Sequence, residues 1–308
     1  ASIARKLGAT VVLAAANRAA QMNAGAAEAA PNSYLLFLHA DSGLTSATLL
    51  SDALSALQSR ERQSESGLLP IAGHFALRFD GQHSDNDFSF RYLQTKTTLN
   101  RVNSTNGDQG MLLQQQHFQR LGGFDESLPF LEDQRFAEKL RAAGQWLTLP
   151  GYLVTSARRF ESEGFSRRYT LMSIIMAMHT VGSERFFSGA SALYRAQHDT
   201  AHLKMSPFIG LTWDALKAMS WRKRVALGQY ISANAWQLFL MLQLKLQRHI
   251  GTLGWLQQPQ RPIPALLRGY DRYLARVFNN PVTGAVAMLL AGCWFFAVLW
   301  PFYKWQDR

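Results

Sequence analysis

The sequence predicts an α/β domain, a mixed sheet flanked by helices, followed by a helical, membrane-associated C-terminal region. Three observations carry this. Strand-like and helix-like segments alternate up to about Arg168, no strand signal follows, and Val282 to Tyr303 contains no charged residue. With 308 residues, 47% of them hydrophobic, there is chain enough for one large or two ordinary domains with a core.

In chain order, Thr10 to Leu13 is a short strand candidate and alanine-rich Ala15 to Ala30 a helix that Pro31-Asn32 breaks. Leu35 to Leu38 reads as a fully buried strand, because an unbroken apolar run needs cover on both faces. Leu44 to Leu57 is helical, with Leu49/Leu50, Ala53/Leu54 and Leu57 forming a stripe, and polar Gln58 to Gly67 is a surface loop. Ile71 to Phe79 alternates, so a half-buried strand is expected with Ile71, Gly73, Phe75, Leu77 and Phe79 on one face. Met111 to Leu113 is a further strand, and Gln134 to Ala143 a helix whose Phe136, Leu140 and Ala143 share a face before Gly144 ends it. Trp146 to Leu149 and Tyr152 to Ser156 read as two closing strands.

These periodicities divide the chain into residues 1–168, a helical and partly interfacial region 169–278, and a transmembrane helix with a short tail, 279–308. Val282 to Tyr303 is long enough to cross about 30 Å of hydrocarbon, and Trp294, Trp300, Tyr303 and the following Trp305 serve as interfacial anchors. Arginines upstream of it predict that the N-terminal domain stays inside and the short tail lies outside. Ala226 to Leu244 is also apolar but holds Gln229, Asn234, Gln237 and Gln243, which suits a re-entrant or interfacial helix.

A net charge of +11 calls for anionic partners. Basic and aromatic residues do not interleave as in RNA-binding modules, and arginines gather beside the apolar C-terminal segments, so a membrane surface is expected and nucleic acid is not. The single cysteine, Cys293, excludes an intrachain disulfide. His198 and His202 are four apart, but no glutamate follows the first as a zincin requires.

Chemistry gathers in three places. The run Tyr34 to Leu38 ends on His39-Ala40-Asp41; on an extended segment the spacing of two puts His39 and Asp41 on one side, where they could share a divalent cation, and Asp41 could equally cap the next helix. Asn106-Gly107-Asp108-Gln109-Gly110 sets an acid and an amide between glycines, suited to close approach of a ligand or to an ordinary turn. Glu132 and Asp133, preceded by a loop containing Pro129, open a helix, where the dipole favours acids for capping or for chemistry.

The order of these segments resembles the family 2 glycosyltransferases, over roughly Thr10 to Phe187. The closest likeness is to the bacterial arsenosugar-biosynthesis-like glycosyltransferases, carried by Gln21-Met22-Asn23-Ala24-Gly25-Ala26-Ala27, Phe37-Leu38-His39-Ala40-Asp41, Gly107-Asp108-Gln109-Gly110, Glu132-Asp133 and Ser156-Ala157-Arg158-Arg159-Phe160. The resemblance implies a GT-A, Rossmann-like fold and an inverting transfer from a nucleotide-diphosphate sugar donor to an acceptor hydroxyl, with lipid-linked acceptors among the candidates, at the cytoplasmic face of the bacterial inner membrane. It places Asp41 at the metal position of the family's Asp-x-Asp motif, with Mn2+ or Mg2+ as cofactor and His39 in place of the first acid. Asp133 falls at the catalytic-base position, with Glu132 supporting it. Asn23, His39, Asp108 and Gln109 fall on the donor side. Arg158 and Arg159 would steady phosphates or simply solvate the surface. Family members begin with a strand and a nucleotide-base loop that would precede Ala1, so a fragment with an open sheet edge is expected. Two alternatives remain: a non-catalytic membrane-attached remnant or scaffold, and a nucleotidyltransferase on the same fold.

Overall fold

A computed structural model describes residues 1–64, 69–81, 88–105, 107–128, 130–197, 203–250 and 264–308. Asn106, Pro129, His198, His202 and the last part of the expected Gln58–Gly67 loop lie outside the described residues. The protein is mixed α/β, with a curled five-stranded sheet flanked by helices and one long apolar C-terminal helix.

The elements in order are α1 (Ser2–Lys6), α2 (Arg18–Ala27), β1 (Tyr34–Phe37), β2 (Gly43–Leu44), α3 (Leu49–Gln63), β3 (Ile71–Asp80), α4 (Phe88–Thr97), β4 (Met111–Gln114), α5 (Gln115–Arg120), α6 (Glu132–Ala143) and β5 (Gln145–Ser156). Helices follow: α7 (Arg158–Glu163), α8 (Phe165–Thr180), α9 (Glu184–Ala196), α10 (Ser206–Ala218), α11 (Trp221–Ala233), α12 (Trp236–Ile250), α13 (Ala265–Gly269), α14 (Ala275–Phe278) and α15 (Pro281–Gln306). Two compact units emerge, one built on Ala1–Asp80 and Leu93–Ser156, the other on Gly81–Tyr92, Ala157–Gly254 and Pro262–Arg308. The division falls at Ser156, earlier than the Arg168 boundary expected from hydropathy, because α7 already belongs with the helices.

In the first unit the strand order is β1-β4-β3-β5-β2, with β3 and β5 parallel and the other pairs antiparallel. Leu49, Ala53 and Leu57 of α3 cover one sheet face against Ile71, Phe75 and Leu77. On the other face Ala19 of α2 and Phe136, Ala137 and Leu140 of α6 pack against Ala72, Leu113 and Phe118. Covered on both sides, β3 is buried over nearly all its length rather than half-buried as its alternation suggested. Conversely β1 lies at the sheet edge and only Leu35 of it is buried, so an unbroken apolar run overstated its burial.

Other differences have local causes. Thr10 to Leu13 forms no strand and leaves Leu13 82% exposed, since none of the described strands pairs with it. Gly43–Leu44 pairs with β5, and Thr45 donates its hydroxyl to the Tyr152 carbonyl at 2.8 Å, which delays the expected helix to Leu49. That helix then runs to Gln63, through most of the expected loop. The two closing strands are one, β5, carried past Pro150 by Gly151 at φ +79 and a register shift against His74/Ala76. In the second unit Ala226 to Leu244 is broken between α11 and α12, where the Asn234 amide donates to the Tyr230 carbonyl at 2.9 Å and accepts from Gln237 at 2.9 Å.

Candidate functional site

Four element ends of the sheet unit converge. They are the end of β1, the short 3-10 turn Gly107–Gln109 before β4, and the first turns of α2 and α6. Asn17 caps α2 by accepting the Ala20 N–H at 3.0 Å, and this sets Arg18 at the first helical position. A cation there opposes the helix dipole, so its place must be sustained by other charges. They are at hand. Arg18 Nε lies 3.0 Å from Glu132 Oε1, Nη2 lies 3.5 Å from Asp133 Oδ2, and Nη2 also contacts His39 Nε2. The other ring nitrogen of His39, Nδ1, stands 2.8 Å from Asp108 Oδ1.

The cluster is partly sheltered. The Glu132 side chain is 5% exposed, Asp133 16% and Arg18 45%. Burial and the neighbouring Asp133 carboxylate push the Glu132 carboxyl above its ordinary range, against the opposing pull of Arg18. Asp133 Oδ1 accepts the Gln134 N–H at 2.7 Å, leaving Oδ2 toward Arg18. Just before these acids Leu131 takes a left-handed conformation, φ 64 and ψ 26, at a cost of roughly 1–2 kcal/mol for a side chain with Cβ. Strain of this kind is held only where the surroundings fix it, and here it sets the direction in which α6 launches Glu132 and Asp133. Gly107 leaves the room: a Cβ on it would lie 2.0 Å from Asp133 Oδ2 and 2.5 Å from Arg18 Nη2.

Of the residues singled out in the sequence, His39, Asp108, Glu132 and Asp133 meet in this cluster. Asp41 stands apart, exposed in the turn that closes with the Ser42 N–H on the His39 carbonyl at 3.1 Å. The expected extended geometry that would set His39 and Asp41 on one side is therefore replaced by a turn. Asn23 clamps the loop after α5, accepting the Phe124 N–H at 2.9 Å and donating to the Phe124 carbonyl and to Glu126. Gln109 is buried and donates to the Ser104 carbonyl at 3.1 Å. Arg158 and Arg159 are exposed at the start of α7, in the other unit, where Arg159 reaches the Tyr194 hydroxyl at 3.4 Å.

Arg18 joins the cluster although nothing in the motifs marks it. Its signal was a basic residue directly after the Asn17 cap, against the usual charge preference of a helix start. As for a metal, no three His, Cys, Asp or Glu side chains converge to hold one among the described residues. Asp41 offers a single carboxylate, and the cluster's acids already enclose a guanidinium. The donor set does not make a protein-held metal centre. Compared with family models, curated proteins and solved structures, the chain matches none.

Proposed function

We propose that the protein is an inverting, family 2-type glycosyltransferase of GT-A architecture, attached to a membrane through its C-terminal helix. The observation that supports this best is the meeting of His39, Asp108, Glu132 and Asp133 from segments far apart in sequence, around Arg18 and beside a glycine that keeps the space open. A sheet whose edge strand β1 delivers His39 to this place is in keeping with ligand binding beyond strand ends.

In this reading Asp133 Oδ2 takes the proton from an acceptor hydroxyl. The acceptor oxygen then attacks the anomeric carbon as its bond to the diphosphate breaks, and a nucleoside diphosphate leaves with inversion. Arg18 orients Asp133 and supplies positive charge beside the carboxylates, while Asp108 orients the His39 ring through Nδ1.

The test is turnover of nucleotide-sugar donors with lipid-linked acceptors, followed by product analysis. Asp133→Asn should lower the rate by about 10²–10⁴-fold, the usual worth of a general base, while nucleotide-induced thermal shifts persist. Release of pyrophosphate in place of nucleoside diphosphate would instead identify a nucleotidyltransferase. Full activity in Asp133→Asn would end the assignment of the base, and absence of both turnover and nucleotide shift would favour the non-catalytic scaffold.

A further inference from the structure

α15 is long and apolar enough to cross a bilayer, and only 17% of its most apolar window is buried in the protein, unlike a core helix. Its packing within the helical unit, however, argues against crossing. The chain from α10 through α11 runs antiparallel beside it. Ser206 donates its hydroxyl to the Tyr303 carbonyl at 3.2 Å, Trp213 meets Phe296 edge-on at 4.8 Å, Gly228 abuts Gly284, and Ser232 donates to the Phe278 carbonyl at 2.6 Å.

Between Trp213 and Gly228 this partner strand of helices carries Asp214, Lys217, Arg222, Lys223 and Arg224. In sequence the five fall between the two residues that touch α15 at Phe296 and at Gly284, so an antiparallel course carries them past its middle. Several are wet or bound to helix ends: Arg222 and Lys223 are exposed, Lys223 donates to the Gly182 carbonyl at 2.7 Å, and Arg224 donates to the Leu216 carbonyl at 3.1 Å. If α15 crossed the bilayer, these charges would sit at hydrocarbon depth, among the costliest places for them. Nor do the two ends of α15 differ in the sign of their charge. Arg272 and Arg276 precede it, and at its far end Arg167 ion-pairs with Asp307 beside Lys304.

What α15 does offer is one apolar flank, with Val282 and Leu289 73% and 71% exposed and Val286, Leu290, Trp294 and Val298 beside them. α12 adds a second stripe at Leu238, Leu242 and Leu246, one residue per turn. The surrounding unit is strongly cationic: its three segments contain 19 of the 32 Lys and Arg but 9 of the 21 Asp and Glu, so +10 of the +11 net charge.

We infer that α15 lies in the plane of an anionic membrane, inserted into one leaflet, with both its ends on the same side. The occupant of the apolar flank is lipid, and the cationic unit meets the headgroups. This rests on the membrane attachment proposed above and is independent of glycosyl transfer.

Single cysteines at the two ends test it. In a Cys293→Ala background, Asn279→Cys and Arg308→Cys occupy exposed positions just before and just after α15. Membranes from expressing bacterial cells are labelled with an impermeant maleimide, as spheroplasts and as inverted vesicles. Both positions should label in the same preparation and neither in the other. Labelling of one end in each preparation would overturn the inference and restore a spanning helix, with membrane attachment intact. Recovery of the folded protein entirely in the soluble fraction would overturn the attachment as well. As a second measurement, the wild-type chain should co-sediment with phosphatidylcholine vesicles far better when phosphatidylglycerol is included, and equal binding to both would remove the anionic headgroup from the inference.

Discussion

The two units use charge in opposite ways. The sheet unit is close to neutral and holds one partly sheltered cluster, where Arg18 faces Glu132 and Asp133 and His39 faces Asp108. The helical unit holds nearly all the net charge and spreads it over its surface beside an exposed apolar helix. Opposed charges held close define positions to within a hydrogen bond, and suit chemistry on a small ligand. Like charges spread over a surface define only a sign, and suit attraction to an extended anionic partner. The net charge of the whole chain therefore describes one unit and conceals the other.

Acid should separate the units most strongly. His74 on β3 is fully buried, stacked on Trp146 at 5.5 Å, and burial, aided by nearby Arg141, lowers its pKa from 6.5 to about 3. The unfolded chain then binds a proton below pH 6.5 that the folded sheet unit refuses. Stability contributed by neutral His74 is complete above pH 6.5 and is lost as pH falls toward 3, on the order of 5 kcal/mol over the whole window. Glu132 works in the opposite sense, since a carboxyl raised on folding favours the folded state as it protonates. The readout is accordingly a difference: denaturant unfolding followed from pH 7 to 4 should lose stability faster in the wild type than in His74→Leu. Parallel curves would mean that His74 is not kept neutral by the fold.

The helical unit should break at a different kind of point. Gly228 allows α11 to approach α15 so closely that a Cβ would lie 2.3 Å from the Gly284 carbonyl oxygen. The obstacle is backbone, which cannot swing aside as a side chain can. Gly228→Ala should destabilise this unit by about 1–3 kcal/mol through overpacking and loosen α15, measured as earlier thermal unfolding and greater protease sensitivity of the C-terminal segment. Turnover measured below the transition should change little if the chemistry resides in the sheet unit. Loss of turnover without loss of stability would join functions that the comparison keeps apart.

Much of this was legible in the sequence, and the failures share a cause. Ala15–Ala30, Leu44–Leu57 and Gln134–Ala143 each hold a helix because apolar spacing and breakers such as Pro31 and Gly144 are local properties, while the Asn17 cap and the Gly43–Leu44 pairing start the first two later than expected. Burial of strands was misjudged at β1 and β3 because cover is supplied by elements distant in the chain: β1 took the edge, and β3 received α3 on one face and α2 with α6 on the other. The site followed the same rule. The acids Asp108, Glu132 and Asp133 were conspicuous as residues, whereas Arg18 and the engagement of both His39 ring nitrogens depend on which loops meet. The helix break at Asn234 lies among polar residues that suit an interfacial helix as well as a turn, and only the Asn234 bonds to Tyr230 and Gln237 tell them apart.

A smaller change sharpens the contrast between the two close-packed glycines. At Gly107 the nearest atoms to a new methyl would be Asp133 Oδ2 and Arg18 Nη2, both ends of side chains that can rotate away, not backbone as at Gly228. Gly107→Ala should therefore leave thermal stability almost unchanged. It should nevertheless displace the proposed base and its arginine partner, and misplacement of about 1 Å at a reacting group can cost up to 10²-fold. The expected outcome is a fall in kcat of roughly 10-fold or more with an unaltered unfolding transition, partly relieved when Arg18→Lys makes room beside Asp133. Unchanged kcat in Gly107→Ala would mean that the cluster tolerates displacement and serves the fold, because a substrate-bearing site of this geometry cannot absorb a methyl group within 2.0 Å of its base.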